Sequence, residues 1–153
     1  MSDDFGIPGY LLWRAANLWQ KRVRAVLAPF NVTPVQYLLL AGLRDLQAET
    51  GQPVKQADLA RYCQSDPMMT SQVLRALQKA GLVDRQAHEA DGRAFAIVLS
   101  DAGTELLAQA EPEIVQTDSL FHDPLGVEKD AFGDALRLLS GVRPRRRVKA
   151  VSG

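Results

Sequence analysis

The chain has 153 residues, 46% hydrophobic and 24% charged, with 18 basic and 18 acidic side chains and one cysteine, Cys63. These figures fit one soluble globular domain, or one compact core with helical extensions, and exclude an internal disulfide. No run approaches the roughly 20 apolar residues of a membrane span, and the start MSDDFGIPGY lacks a basic leader region, so a cytoplasmic protein is expected.

Tyr10 to Phe30 carries an apolar helical stripe at Leu12, Ala16, Trp19, Val23, Val26 and Phe30, with a second at Leu11, Ala15 and Leu18. Two neighbouring stripes predict a helix buried on more than one side. NVTPVQYLLLAGLRDLQ follows, with Thr33 placed to cap a second helix, Pro34 at its first position, and Gly51 and Pro53 to close it. Lys55 to Tyr62 predicts a short third helix. Ser65-Asp66-Pro67 repeats the start signal for a fourth helix, which runs to about Ala80 with Gly81 as its stop.

Leu82 to Gln86 and Phe95 to Leu99 read as two short strands around Asp91-Gly92, a favoured tight-turn pair. Ser100 caps a long fifth helix, about Asp101 to Phe121, in which Pro112 should produce a kink. DPLG breaks the chain before a sixth helix, Glu128 to Leu139. The tail RPRRRVKAVSG reads as disordered. The domain reading is an extension over 1–9, one domain over 10–141 and a basic tail over 142–153. The expected fold is mainly α with a small β-hairpin wing: a winged helix-turn-helix at about 53–99, with long N- and C-terminal helices (about 10–30 and 101–141) whose spare apolar faces call for a twofold partner.

Charge is unevenly spread. Nine acidic residues face one basic residue between Asp101 and Asp134, and six basic residues with no acidic ones follow Asp134. A neutral total does not argue against nucleic-acid binding when basic groups share a face.

A helix-turn-helix lays the start of its second helix against base edges in the major groove. In SDPMMTSQVLRALQKAGLV, Val73, Leu74 and Leu77, with Thr70 partly included, form the packing face. Met68, Ser71, Gln72 and Arg75 fall on the other. Gln72 can bridge adenine, Ser71 can reach base or phosphate, and Met68 and Met69 can pack on thymine methyls or sugars. Pro67, Met68, Met69, Thr70, Ser71, Gln72 and Arg75 make up the candidate reading surface. Acidic groups there would repel phosphate, and the first turns after Pro67 have none. In the wing, Arg93 can enter the minor groove, held by Asp91 two residues before it. Lys55 and Arg85 are candidate phosphate contacts. The plain alternative is a core helix with a polar face and a solvated surface pair in a turn.

DLARYCQSDPMMTSQVLRALQKAGLVDRQAHEADGRAFAIVLSDAGTELL resembles the MarR family of bacterial transcriptional regulators. The likeness lies in the LA of the third helix, the GLV leading to the wing, the wing's DGR and the LSDAG opening the fifth helix, and it extends over about residues 10–141. It implies a homodimer in which helices from both chain ends interlock and each lobe reads half of a pseudopalindrome in duplex DNA. This chain departs from the family in two places: many members carry arginine midway along the recognition helix where Gln72 stands, and the basic run after Gly141 is unusual.

Many members release DNA when a small aromatic acid or phenol binds between the dimerisation helices and the lobe. Trp13, Asn17 and Tyr37 are candidates for lining such a pocket, with ordinary packing as the other reading. Cys63 reads as a small core residue. His88 and His122 lack the companions of a zinc site, and no catalytic or phosphate-cradling motif is present, so no metal, cofactor or enzyme activity is expected. The tail arginines read as a solvated end, or as a sequence-blind DNA contact. The resulting expectation is a ligand-released repressor. Its alternatives are a ligand-independent regulator or activator, and a winged-helix module that binds protein.

Overall fold

The computed structural model describes residues 7–88 and 91–142, with backbone alone at 88 and 91–95. The basic tail, the tip of the wing and the first six residues therefore lie outside the described residues. The chain forms two compact units, one up to Thr117 and one from Asp118.

In the first unit, α1 (Pro8–Leu27) runs into a 3-10 turn, Ala28–Phe30, and Asn31 in the left-handed region turns the chain. α2 (Pro34–Thr50) starts in a full capping box. Thr33 Oγ1 accepts from Gln36 N at 3.2 Å, and Gln36 Oε1 accepts from Thr33 N at 2.9 Å. Gly51, at φ 65°, ends it as expected. β1 (Val54–Lys55) precedes α3 (Gln56–Tyr62), then come α4 (Pro67–Lys79), β2 (Val83–His88), β3 (Asp91–Leu99) and α5 (Asp101–His122).

The sheet has three antiparallel strands in the order β1-β3-β2. Lys55 is thus a strand residue opposite Ala96, not the first residue of the third helix. A two-residue strand carries no periodicity, and only its pairing with β3 creates it. The hairpin is also longer than expected, with Val83 opposite Leu99 and a register irregularity at Ala87/His88. α5 continues through Pro112.

The principal core joins Leu39, Leu40 and Leu43 of α2 to Val54, Leu59, Leu74, Leu77, Val83, Ile97 and Leu107. Every element from α2 to α5 contributes, so the lobe holds its helices and wing around one apolar centre. A smaller cluster packs Val23 and Leu27 of α1 with Val32 and Ala110. Full burial on α1 is confined to Val23 and Leu27 in its C-terminal half. Tyr10, Leu11, Leu12 and Leu18 are about half exposed and Trp13 is 72% exposed, so burial on two sides is not achieved within one chain.

In the second unit, the end of α5 is followed by a 3-10 segment, Asp123–Glu128, broken at Gly126 (φ 53°), and by α6 (Lys129–Leu139). His122 Nδ1 lies 2.8 Å from the Asp118 carbonyl oxygen, and its ring packs between Phe121 and Phe132. Lys129 Nζ donates to Ser119 Oγ at 3.2 Å. Leu138 and Leu139 remain more than 70% exposed, while Leu136 is half-buried.

Candidate nucleic-acid interface

α4 is held rigidly at both ends. Asp66 Oδ1 accepts from Met69 N at 2.9 Å, so the one carboxylate at this helix start is turned onto the backbone and supports the positive helix end. Pro67 occupies the first position, where its missing N–H costs no helical bond. At the other end Gly81 adopts φ 76°, and Leu82 N donates to Leu77 O at 3.0 Å.

Thr70 corrects the expected reading surface. Its side chain is fully buried; Oγ1 donates to the Asp66 carbonyl at 2.8 Å and lies 2.7 Å from Ser65 Oγ. Its position one turn before Leu74 and two before Leu77 puts it on the packing face, so it fixes the helix start and presents nothing to a groove. The remaining predicted residues of α4 stay together on the outside. Met68 is 73% exposed, and Met69, Gln72 and Arg75 are exposed around it, with Pro67 at the entry. Ser71 is half-buried and accepts from Arg75 Nη2 at 3.0 Å.

Lys79, exposed at the last turn of α4, was not among the expected contacts. Its signal was the spacing: Met68, Gln72, Arg75 and Lys79 recur at one helical face. That face is therefore apolar at its start, amide in its middle and basic toward its end.

Lys55 and Arg85 are half-buried on β1 and β2, where Arg85 stands opposite Ile97 of the wing's long strand. The backbone of β3 places Asp91 and Arg93 in the wing, but their side chains lie outside the described residues.

Trp13 and Asn17 are exposed on α1, whereas Tyr37 is half-buried between the two apolar clusters. Burial, followed by the Glu111 charge, raises the Tyr37 hydroxyl above its ordinary pKa. Nearby, Arg44 Nη1 donates to Glu111 at 3.1 Å and Nε donates to Asp45 at 3.3 Å, tying α2 to α5. Tyr62 donates to the other Asp45 oxygen at 3.3 Å. A groove of about 540 Å³ beside α3 is lined by Leu46, Pro53, Val54, Lys55, Arg61 and Tyr62 among others, but not by Trp13, Asn17 or Tyr37. Cys63 is half-buried, its thiol directed to the Leu38 carbonyl, and burial followed by the Asp45 charge raises its pKa to about 11. Among the described residues no group of three or more His, Cys, Asp or Glu side chains could hold a metal. Nor is any single described helix long and apolar enough to cross a membrane.

A family model described as "MarR family" matches residues 32–95, which run from the start of α2 into the wing. The uncharacterized HTH-type transcriptional regulator YdcH of Bacillus subtilis (strain 168) is 37% identical over 132 residues, 86% of this chain and 88% of the relative. The chain belongs to the MarR family. The HTH-type transcriptional repressor Rv2887 of Mycobacterium tuberculosis (strain ATCC 25618 / H37Rv) is 32% identical over 119 residues, 78% of this chain and 81% of that protein. A crystal structure of Rv2887 in complex with salicylic acid matches with a TM-score of 0.66 at 28% identity, covering 91% of this chain and 99% of that one. A MarR variant from E. coli complexed with operator DNA matches with a TM-score of 0.75 at 22% identity, over 94% and 100% of the two chains; this likeness is one of fold. This MarR-family chain is thus a DNA-binding transcriptional regulator with a winged-helix lobe, and its family is one of regulators rather than enzymes.

Proposed function

We propose that this regulator is a cytoplasmic homodimeric repressor that binds a pseudopalindromic operator and is released by a small aromatic or phenolic ligand. The observation that carries the reading is the outer face of α4. Met68, Gln72 and Arg75 stand exposed on a helix that carries no Asp or Glu of its own and whose N-cap carboxylate, Asp66, is bound to its backbone. Such a face meets a phosphate-flanked groove without charge repulsion and offers an amide and a guanidinium to base edges and backbone. Pro67, Met69, Ser71 and Lys79 complete the surface on α4, and Lys55, Arg85, Asp91 and Arg93 extend it along the sheet and wing.

Dimerisation is assigned to the exposed apolar side chains of α1 in the first unit and of α6 in the second, each a surface that water would otherwise cover. Repression follows the naming of Rv2887, and ligand release follows its salicylic acid complex. Trp13, Asn17 and Tyr37 are given the ligand-lining role, with a ring and an amide accessible on α1 and a phenol on α2. A bound ligand lowers operator affinity only through its preference for the DNA-incompetent arrangement.

Selection of bound sequences from a random duplex pool tests this directly. The expected product is a family of sequences with two inverted half-sites, bound by two chains and weakened by salicylate. Recovery of no preferred sequence at low ionic strength would overturn the reading in favour of a protein-binding module. Operator binding indifferent to a panel of aromatic acids would leave a ligand-independent regulator.

A further inference from the structure

The exit of the recognition helix is bound to the start of α5 by a compact clasp. Ser100 Oγ donates to the Gly81 carbonyl at 2.6 Å and accepts from Gly103 N at 3.0 Å. The Ser100 backbone N donates to Leu82 O at 3.2 Å. Gly103 is buried, and a Cβ built there would collide with that same Leu82 carbonyl. Leu82 itself packs against both apolar clusters. One hydroxyl therefore caps α5 and holds the left-handed turn that ends α4, while the missing side chain of Gly103 lets the two backbones close.

We propose that Ser100 and Gly103 are positioning residues for operator binding, setting the direction of α4 relative to α5 and thereby the half-site spacing that the dimer accepts. This deepens the proposed function and rests on its two-half-site reading. A hydroxyl with both its donor and acceptor roles satisfied by neighbouring backbone, next to a position where no Cβ fits, makes a stiff joint. Adding one base pair between half-sites turns the second site by about 35° and moves it about 3.4 Å. A stiff joint transmits that mismatch to the contacts, whereas a loosened one absorbs it.

The probes are the duplex that wild-type protein selects from a random pool, the same duplex with one base pair inserted at its centre, and a scrambled duplex. Wild type is expected to lose at least about tenfold in affinity on the insertion, the size of a damaged base contact. Ser100→Ala and Gly103→Ala should bind the two spacings within about threefold of one another, with affinity for the scrambled duplex unchanged. Ser100→Thr, which restores the capping hydroxyl, should restore discrimination. Should Gly103→Ala fail to fold, Ser100→Ala decides. A folded Ser100→Ala with wild-type spacing discrimination overturns the clasp's role. Wild-type protein indifferent to spacing overturns the two-half-site reading, and the clasp's role with it, before any variant is compared.

Discussion

Arg75 Nη2 donates to Ser71 Oγ at 3.0 Å, so the hydroxyl on this face of α4 already has a partner, while the neighbouring Gln72 amide is exposed. Two residues of similar promise in the sequence therefore differ in readiness to contact a base. Gln72→Ala should cost about 1–3 kcal/mol on the matched base pair and flatten discrimination there. Ser71→Ala should cost less, because its main effect is to free Arg75. Titrations against the selected operator and its single-base variants check the order, and a larger loss from Ser71→Ala would reverse the assignment.

Thr70 predicts a different phenotype. Thr70→Val keeps the shape but removes the bond to the Asp66 carbonyl and leaves Ser65 facing a methyl group in a buried setting. The expected loss is about 1–3 kcal/mol of stability. Urea denaturation should show it, while the folded variant keeps near wild-type operator affinity at low temperature. A selective loss of base discrimination would instead return Thr70 to the reading face.

Alkaline pH should loosen the lobe. The Cys63 thiol is raised from its ordinary 9.0 to about 11, chiefly by burial, and the Tyr37 and Tyr62 hydroxyls are raised from 10.0, again with burial first. Each group is neutral when protonated, so the folded state holds its proton more tightly than the unfolded state does. The contribution from Cys63 is complete below pH 9.0 and is lost as pH rises toward about 11. The urea midpoint should fall over that range, and Cys63→Ala should flatten part of the fall. At neutral pH the thiol should react with alkylating agents more slowly than a free cysteine. Rapid alkylation of the native protein at pH 7 would contradict its burial.

On α6 Leu138 and Leu139 are exposed whereas Leu136 is half-buried, so in the proposed dimer the first two are the side chains offered to the partner. Leu139→Glu should weaken self-association by at least about tenfold, since a buried carboxylate at an interface is strongly disfavoured. Leu11→Glu on α1 should do the same. Sedimentation should show monomers with unchanged helical content. Persistence of a dimer in both variants would move the interface elsewhere.

Much of the fold was legible in chain order because its signals act over three or four residues. Thr33-Pro34-Gln36, Asp66-Pro67 and Ser100 begin helices where expected, and Gly51 and Gly81 end them in left-handed conformations. A cap needs only a short acceptor near exposed N–H groups, and a glycine stop needs only a missing Cβ; both are written locally. The α4 face was legible for the same reason, since helical spacing alone puts Met68, Gln72 and Arg75 together, and Lys79, which shares that spacing, is the residue it missed.

Other features required the folded chain. β1 exists because Val54 meets Ile97, and the groups joined by the clasp, Ser100 and Gly81, are 19 residues apart. Spacing sets Thr70 in line with Leu74 and Leu77, but its complete burial and the bond to Ser65 came only with the packed lobe. An apolar stripe states that a helix has a face to cover, but not what covers it: on α1 the stripe meets a core at Val23 and Leu27 and water at Leu11 and Leu18. Local chemistry could place the helices and most of their ends from the order of residues, whereas burial and long-range pairing, such as the one that claims Lys55 for β1, are properties of the surroundings, which exist only once the chain has closed on itself.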